Sequence, residues 1–383
     1  MVFSRGRVQA LLSGDQVTER SVTGAAVMST GVSDVVGRAP ARKPKARLPS
    51  RLGHELNTGL LLLLTLILAI ATSTKDSAFL SPLNTSQLLA ASSVLVLAGL
   101  AQLLVVMTGG IDLSLGSVVA LSGVVVSFRP GRWRLLPARR AARPGFWTRG
   151  RSRQRCAGDQ ARLPAVIATL VTSIAVVGTA QVLRPYPDGS SSPAIMTAIG
   201  TAIAGVPLVL AVAVGLAVAI WFILQRTALG RSFRAAGSDP VKANRMGVSV
   251  PAMRLLATTA AGVLAALAGL ALYSRTGIGD ANTGQALTLA SVTAIVIAGA
   301  SIFGGSGSAI AVAAAGILLQ TISNSIAFLS LGLAWQFWLQ GVFVLAAAIL
   351  PMLVRALRNA RDRREVAQPS PRPGEAAASV PQE

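Results

Sequence analysis

The sequence predicts an all-α, polytopic membrane protein, a bundle of about eight to ten transmembrane helices between a basic N-terminal arm and a C-terminal tail that both read as disordered. Three observations carry this prediction. Apolar side chains make up 52% of the 383 residues, charged ones 13% and aromatic ones 4%. The charge is segregated, for residues 85–127 hold a single charged side chain, Asp112, and residues 252–354 hold only Arg254, Arg275 and Asp280. A water-soluble domain has no means of covering its surface over so bare a stretch. The cations collect instead outside the apolar runs, in blocks at 1–51, 128–162, 226–254 and from 355 onward.

A crossing needs about 20 mainly apolar residues at roughly 1.5 Å each. Runs of that kind lie at 58–73, 86–107, 112–127, 165–183, 203–224, 255–273, 286–303, 308–328 and 334–354. The first is short, and tilt or local thinning accommodates it. No secretory leader is expected, since 57 residues precede the first run and no A-x-A-like site follows it. Residues 226–254 carry Arg226, Arg231, Arg234, Lys242, Arg245 and Arg254 against Asp239, so the positive-inside rule places them in the cytoplasm. Counting forward from there puts Arg355, Arg358, Arg361, Arg363 and Arg364 in the cytoplasm as well, with the cation-poor loops 274–285 and 329–333 outside.

Counting from the other end exposes a fault. A basic N terminus inside leaves residue 127 outside, whereas counting back from 226 requires residue 164 inside, and 128–162 contain no apolar span. They contain FRPGRWRLLPARRAARPGFWTRGRSRQRCAGDQAR, with eleven arginines and no lysine. Two readings stay open. In one, 128–162 form a cytoplasmic basic loop and 112–127 dip into the membrane and return, their backbone covered by protein or a watery cavity. In the other, the segment is translated out of frame from a GC-rich gene, which yields Arg, Pro, Gly, Ala and Trp without Lys or Ile.

The organisation that follows is a basic arm at 1–51, one transmembrane domain at 52–354 and a tail at 355–383. The arm's ARKPKARLPSR reads as a solvated juxtamembrane segment near anionic lipid. The net charge of +21 therefore flanks membrane spans and implies no nucleic-acid partner. The single cysteine, Cys156, forms no internal disulfide.

Catalytic parts are missing. There is no G-x-x-x-x-G-K-[ST] loop, so this chain is not expected to hydrolyse ATP. The lone His54 beside Glu55 offers no metal cluster, and no enzyme activity or cofactor is expected. Intramembrane carboxylates suited to proton or sodium coupling are confined to Asp112 and Asp280, weak support for an ion-driven carrier. Glycines in 107–117, 260–272 and 302–309 suit close helix packing or helix breaks.

MTGGIDLSLGSVVALSGVVV (107–126) carries Thr108, Gly109, Gly110, Ile111, Asp112, Leu113, Ser114, Gly116 and Ser117 in the order T-G-G-I-D-L-S-x-G-S. RTALGRSFRAAGSDPVKANRMGVSV (226–250) and SVTAIVIAGASIFGGSGSAIAVAAAGILLQTISNSI (291–326) follow it. In these three stretches the chain resembles the permease subunit of bacterial sugar ABC importers, the ribose and xylose type within the wider group of branched-chain amino acid and sugar permeases. The resemblance covers 58–127 and 164–354. It stops at Ser127 and resumes near Leu163, where the family has one apolar span that this chain lacks. Ala300, Ser306 and Ser323 also depart from the pattern.

The resemblance implies a multi-pass protein of a bacterial inner membrane, paired with a second permease copy or paralogue. An ATP-binding subunit would power it and an extracytoplasmic solute-binding protein would feed it a monosaccharide or similar polar solute. Within 226–254, a short helix over 231–247 is expected, capped by Asp239-Pro240 and closed by Gly247. Arg231, Ala235, Gly237, Asp239, Ala243 and Gly247 are the residues expected to couple to the ATPase. Thr108, Gly109, Gly110, Asp112, Ser114, Gly116 and Asn324 are candidates for the translocation path, since helix breaks near midplane are where transporters bind. Asp112 equally fits a capping role. Gln102, Thr169, Thr172 and Gln320 are further polar candidates. An ion-coupled carrier and the product of a disrupted permease gene remain the alternatives.

Overall fold

The computed structural model describes residues 2–4, 7–10, 50–128, 165–189, 201–203, 205–332 and scattered positions from 334 to 345. Residues 1–50 form a unit of their own, with an antiparallel pair of strands, β1 (Val2–Ser4) and β2 (Arg7–Ala10). The expectations for the rest of the arm, for 129–162 and for the tail at 355–383 lie outside the described residues, as does most of the span expected at 334–354.

The second unit is an all-α bundle. Its helices are α1 (Ser50–Ser73), α2 (Pro82–Met107), α3 (Leu115–Val126), α4 (Ala165–Leu183), α5 (Leu208–Arg226), α6 (Ala228–Ser238), α7 (Pro240–Arg245), α8 (Val250–Thr276), α9 (Gly284–Ile297) and α10 (Ala309–Phe328). Among the described residues, α2, α4, α5, α8 and α10 are long and apolar enough to cross a membrane. The run expected at 203–224 starts its helix only at Leu208, because Ala202–Ile203 and Val206–Pro207 (β3 and β4) first pair as a small hairpin and Pro207 has no N–H to give to a ladder or helix. The runs at 112–127 and 286–303 also shorten, to the 12 residues of α3 and the 14 of α9. Both are too short to cross about 30 Å of hydrocarbon.

α2 is the centre of the bundle. Apolar all round, it buries every residue from Ala91 to Met107, with α8, α10, α9 and α5 packed about it. Close approach depends on small side chains. A Cβ on Gly269 of α8 would fall on the Val119 carbonyl oxygen and Ser122 Oγ of α3, and Gly116 and Gly284 face each other backbone to backbone where α3 crosses α9. Such contacts replace the hydrophobic drive that lipid cannot supply between helices. On the periphery, Leu62, Leu63, Leu66 and Ile67 of α1, Val171 and Ile174 of α4 and Phe222 of α5 are exposed, an apolar belt suited to acyl chains.

The two ends of the bundle differ. At the basic end lie Met107, the loop 226–254 and residues 299–308. The far end holds the α1 finish, the α2 start and the α10 finish, where the edge-to-face pair Phe79–Phe328 (centroids 5.3 Å) and Thr72 Oγ1 donating to Ser325 Oγ (2.9 Å) tie α10 to the turn before α2 and to α1. α3 and α4 run side by side in the same direction. Their hydroxyls Ser117 and Ser173 are hydrogen-bonded, and eleven residues beyond Ser173 the Arg184 guanidinium sits over the Phe128 ring (4.5 Å) and donates to the Ser127 carbonyl (3.4 Å). Asp188 and Gly279 exchange backbone hydrogen bonds at the same level. Ser127 therefore stands at the far end and Ala165 at the basic end, so α3 continues outward and does not dip and return.

Gly269→Ala is expected to destabilise the bundle by about 1–3 kcal/mol through overpacking. Gly123→Ala, whose new Cβ would meet its nearest neighbour at an ordinary 3.6 Å, should be tolerated. Thermal unfolding in detergent checks the pair, and equal stability of the two variants would contradict the packing.

Candidate functional site

α2 ends in a chain reversal dictated by Thr108-Gly109-Gly110. Gly109 has φ +80°, a conformation that glycine adopts without Cβ strain. Its N–H donates to the Val106 carbonyl (2.8 Å) while the Gly110 N–H reaches the Val105 carbonyl (3.3 Å), a Schellman closure. Thr108 Oγ1 donates to the same Val105 oxygen (2.9 Å).

The chain then runs back along α2 into the bundle. Gln102, fully buried, with its amide oriented to match both partners, donates from Nε2 to the Asp112 carbonyl (3.1 Å) and accepts at Oε1 from the Asp112 N–H (3.2 Å). Gln102 thus serves residue 112 as a neighbouring strand would, and it lies five residues, about 7 Å, up α2 from Met107. Asp112, 2% exposed, folds its carboxylate onto its own turn, where Oδ1 accepts from the Ser114 N–H (2.8 Å) and Ser114 Oγ (2.7 Å). α3 starts there, and Thr288 Oγ1 of α9 accepts from its Gly116 N–H (3.1 Å).

The structure therefore brings together Thr108, Gly109, Gly110, Asp112, Ser114 and Gly116. It places Asn324 apart at the far end, where its Nδ2 donates to Asn84 Oδ1 (3.1 Å) and Asn84 in turn donates to the Phe79 carbonyl (2.7 Å). Thr169 is buried, its hydroxyl on the Val166 carbonyl (3.1 Å), and Thr172 and Gln320 are half-buried. Sequence reasoning passed over Thr288, a lone hydroxyl in an apolar run with no signal. It also passed over Arg184, which the R-P-Y-P-D pattern closing a span could have flagged. Arg184 is 7% exposed and ion-paired to Asp188 Oδ2 (2.7 Å).

The basic loop forms two helices where one was expected. Thr227 Oγ1 caps α6 by accepting from the Gly230 N–H (3.3 Å), and Arg234 Nη2 donates to the Leu224 carbonyl (2.7 Å), fastening α6 to the end of α5. The break falls at Asp239, whose extended backbone and side chain cap α7. Its Oδ1 accepts from the Lys242 N–H (3.0 Å) and its Oδ2 pairs with Lys242 Nζ (2.9 Å). These contacts, the backbone one foremost, hold the Asp239 carboxyl below the usual carboxylate range. The cap is therefore charged at neutral pH, and its contribution would be lost only as pH falls through that lowered value.

Gly247, φ +81°, closes α7 with a second Schellman pair, Gly247 N–H to Asn244 (3.1 Å) and Val248 N–H to Ala243 (3.0 Å). Ala243, Ala236 and Val250 form a small core beneath it. Arg231 is exposed, Ala235 half-buried and Gly237 buried against the Met107 carbonyl. Val241 and Met246 are 63% and 79% exposed on α7. A cleft of about 310 Å³ also opens at this end, lined by Glu55, Thr58, Trp221, Gln225, Arg226, Ser308 and Ile310. Among the described residues no group of three His, Cys, Asp or Glu could hold a metal.

Residues 159–349 match the model of a family described as the permease component of the branched-chain amino acid transport system. The chain is 30% identical over 296 residues, 72% of its length and 80% of the relative's, to the fructose import permease of Rhizobium meliloti. The chain belongs to this permease family. It is also 29% identical to a probable ABC transporter permease of Sinorhizobium fredii, over 87% of the chain and 100% of the relative, and 28% identical to the D-allose transport system permease of Escherichia coli, over 77% and 91%. No solved structure matches the chain. The permease is a multi-pass protein of the bacterial inner membrane.

In this permease the helix break at 108–114 depends on the Gln102 amide. Gln102→Leu leaves the N–H and C=O of residue 112 without that partner inside the bundle, at about 1–3 kcal/mol for each group. A fall in detergent melting temperature is expected. Asp112→Asn, which keeps an Oδ1 acceptor for Ser114, should melt close to wild type.

Proposed function

We propose that this permease subunit moves a monosaccharide or related small polar solute inward, driven by a separate ATP-binding subunit and fed by an extracytoplasmic binding protein. It works as a dimer with a second copy or paralogue, itself carries no catalytic residue, and binds no nucleic acid. The observation that carries the reading is α7. Six residues long, it is capped by Asp239, closed by Gly247 and seated on Ala236 and Val250. A helix so fixed at both ends moves as a block, and its exposed Val241 and Met246 beside Lys242 and Arg245 suit a soluble partner that pushes from the cytoplasm. The solute class follows from relatives named for fructose, allose and ribose import. Arg231, Ala235, Gly237, Asp239, Ala243 and Gly247 form or support the docking arm, and the 108–116 break is the candidate solute path.

One observation favours a second reading alongside it. Parallel neighbours α3 and α4 need a connection that returns from the far end to the basic end, and residues 129–164 offer eleven arginines in place of an apolar run. That suits a permease gene whose frame is disrupted over 128–162. Translating the nucleotide sequence in its other frames should reveal an apolar span of about 20 residues, and its absence from every frame would remove this reading.

Replacing Ala243 with Trp or Gly247 with Leu should lower solute uptake per ATP hydrolysed by about tenfold while membrane insertion is unchanged. Uptake of radiolabelled ribose, fructose and allose into proteoliposomes holding the complex measures this. Uptake by the purified chain alone, insensitive to ATP and lost in Asp112→Asn, would instead mark an ion-driven carrier.

A further inference from the structure

Three chain reversals meet at the basic end beneath α6. One is the Thr108–Gly110 turn that begins the re-entrant segment, the second is the Phe303–Gly307 turn between α9 and α10, and the third is the end of α6 at Gly237–Ser238. Gly305 N–H donates to the Met107 carbonyl (3.1 Å), joining the first two. Gly237 joins the third. A Cβ on Gly237 would fall on the Met107 carbonyl oxygen itself and lie 2.7 Å from the Gly305 nitrogen, and one on Gly304 would lie 2.8 Å from the Gly237 carbonyl and 3.0 Å from the Gly109 nitrogen. All the closest atoms are backbone, so no rotamer change makes room. The contact also bears on a hydrogen bond, since Met107 O is the acceptor that holds the two turns together.

We infer that Gly237 is the positioning residue through which motion of the 226–254 arm reaches the membrane helices, because its bare α-carbon seats the end of α6 on the Met107–Gly305 bond. This rests on the proposed coupling role of that arm and adds the route. A push on α7 passes across the two-helix arm to Ser238, where it meets both broken spans at once, α2–α3 through Met107 and α9–α10 through Gly304 and Gly305. Direct backbone packing transmits displacement with little slack, as flexible side chains would not. The arm's end and the two turns therefore move as one body, and the re-entrant segment bearing Asp112 moves with them.

Two measurements on the complete transporter in proteoliposomes test this. Gly237→Ala is compared with wild type at equal amounts of recovered ATP-binding subunit. Stimulation of hydrolysis by the binding protein, and uptake of radiolabelled ribose, fructose or allose, should fall by about tenfold or more. Wild-type stimulation and uptake in Gly237→Ala would overturn the inference. Hydrogen exchange on the wild-type complex keeps the test open if Gly237→Ala fails to fold, because the Gly305 N–H is held by the Met107 carbonyl. Its protection during ATP-driven transport should stay within about twofold of that in the resting complex, as one rigid body requires. Loss of that protection during transport would show that these loops separate and would overturn the inference. A wild-type chain that recovers no ATP-binding subunit would sink the coupling reading first, and this inference with it.

Discussion

The pairing of the Gln102 amide with both backbone groups of Asp112 is the interaction on which the interior of this permease depends. A helix satisfies its own N–H and C=O groups in lipid, whereas an extended segment does not, and each group left unpaired at that depth costs several kcal/mol. Residues 110–112 are neither helix nor strand, and residue 112 lies against α2 through Gln102. Their burial is possible because a side chain takes the place of a strand, because Asp112 turns its carboxylate onto Ser114, and because Thr288 receives the Gly116 N–H. Remove the amide and the loop has no reason to remain among apolar side chains.

From that constraint the rest of the packing follows. A chain that re-enters beside α2 leaves only 12 residues for α3, and so short a helix needs close backbone contact to be held. Gly269 supplies it from α8 and Gly284 from α9. α9 is itself shortened, with a Schellman closure from Gly299 N–H to Val296 (2.9 Å) and Ala300 N–H to Ile295 (3.0 Å) like that at Gly109. Two broken spans thus place two glycine turns at one end of the bundle.

The long helices were legible because length and hydropathy alone define them. α4 falls where its run of apolar residues predicts, and α2, α8 and α10 fall within a few residues of theirs. The breaks were legible as places but not as geometry. T-G-G-I-D-L-S announced a turn, yet nothing in a periodic apolar run says that Gln102 faces it, since a buried glutamine and a lipid-facing one read alike. The basic loop looked like a single helix from 231 to 247 because Asp239-Pro240 reads as a start and conceals that another helix, amphipathic and capped by Thr227, ends at that point. Asn324 looked like a path residue because it is polar within a span. Its amide meets that of Asn84, a pairing that only the tertiary fold could reveal.

The two ends of the bundle are bound by different chemistry, and this gives the molecule a direction. At the far end a buried guanidinium stacks on Phe128 and reaches Asp188 and Ser127, so the end of α3 and the segment that closes α4 meet at one charge. At the basic end the contacts are backbone against backbone between glycines, joined by the hydrogen bond from Gly305 to Met107. Displacing the first would leave a buried cation unpaired, whereas the second carries no charge and its turns are packed backbone to backbone, so they shift together and not past one another. Under the proposed coupling role of 226–254, a force on that loop carries the glycine turns of the basic end together while the Arg184 contacts hold the far end.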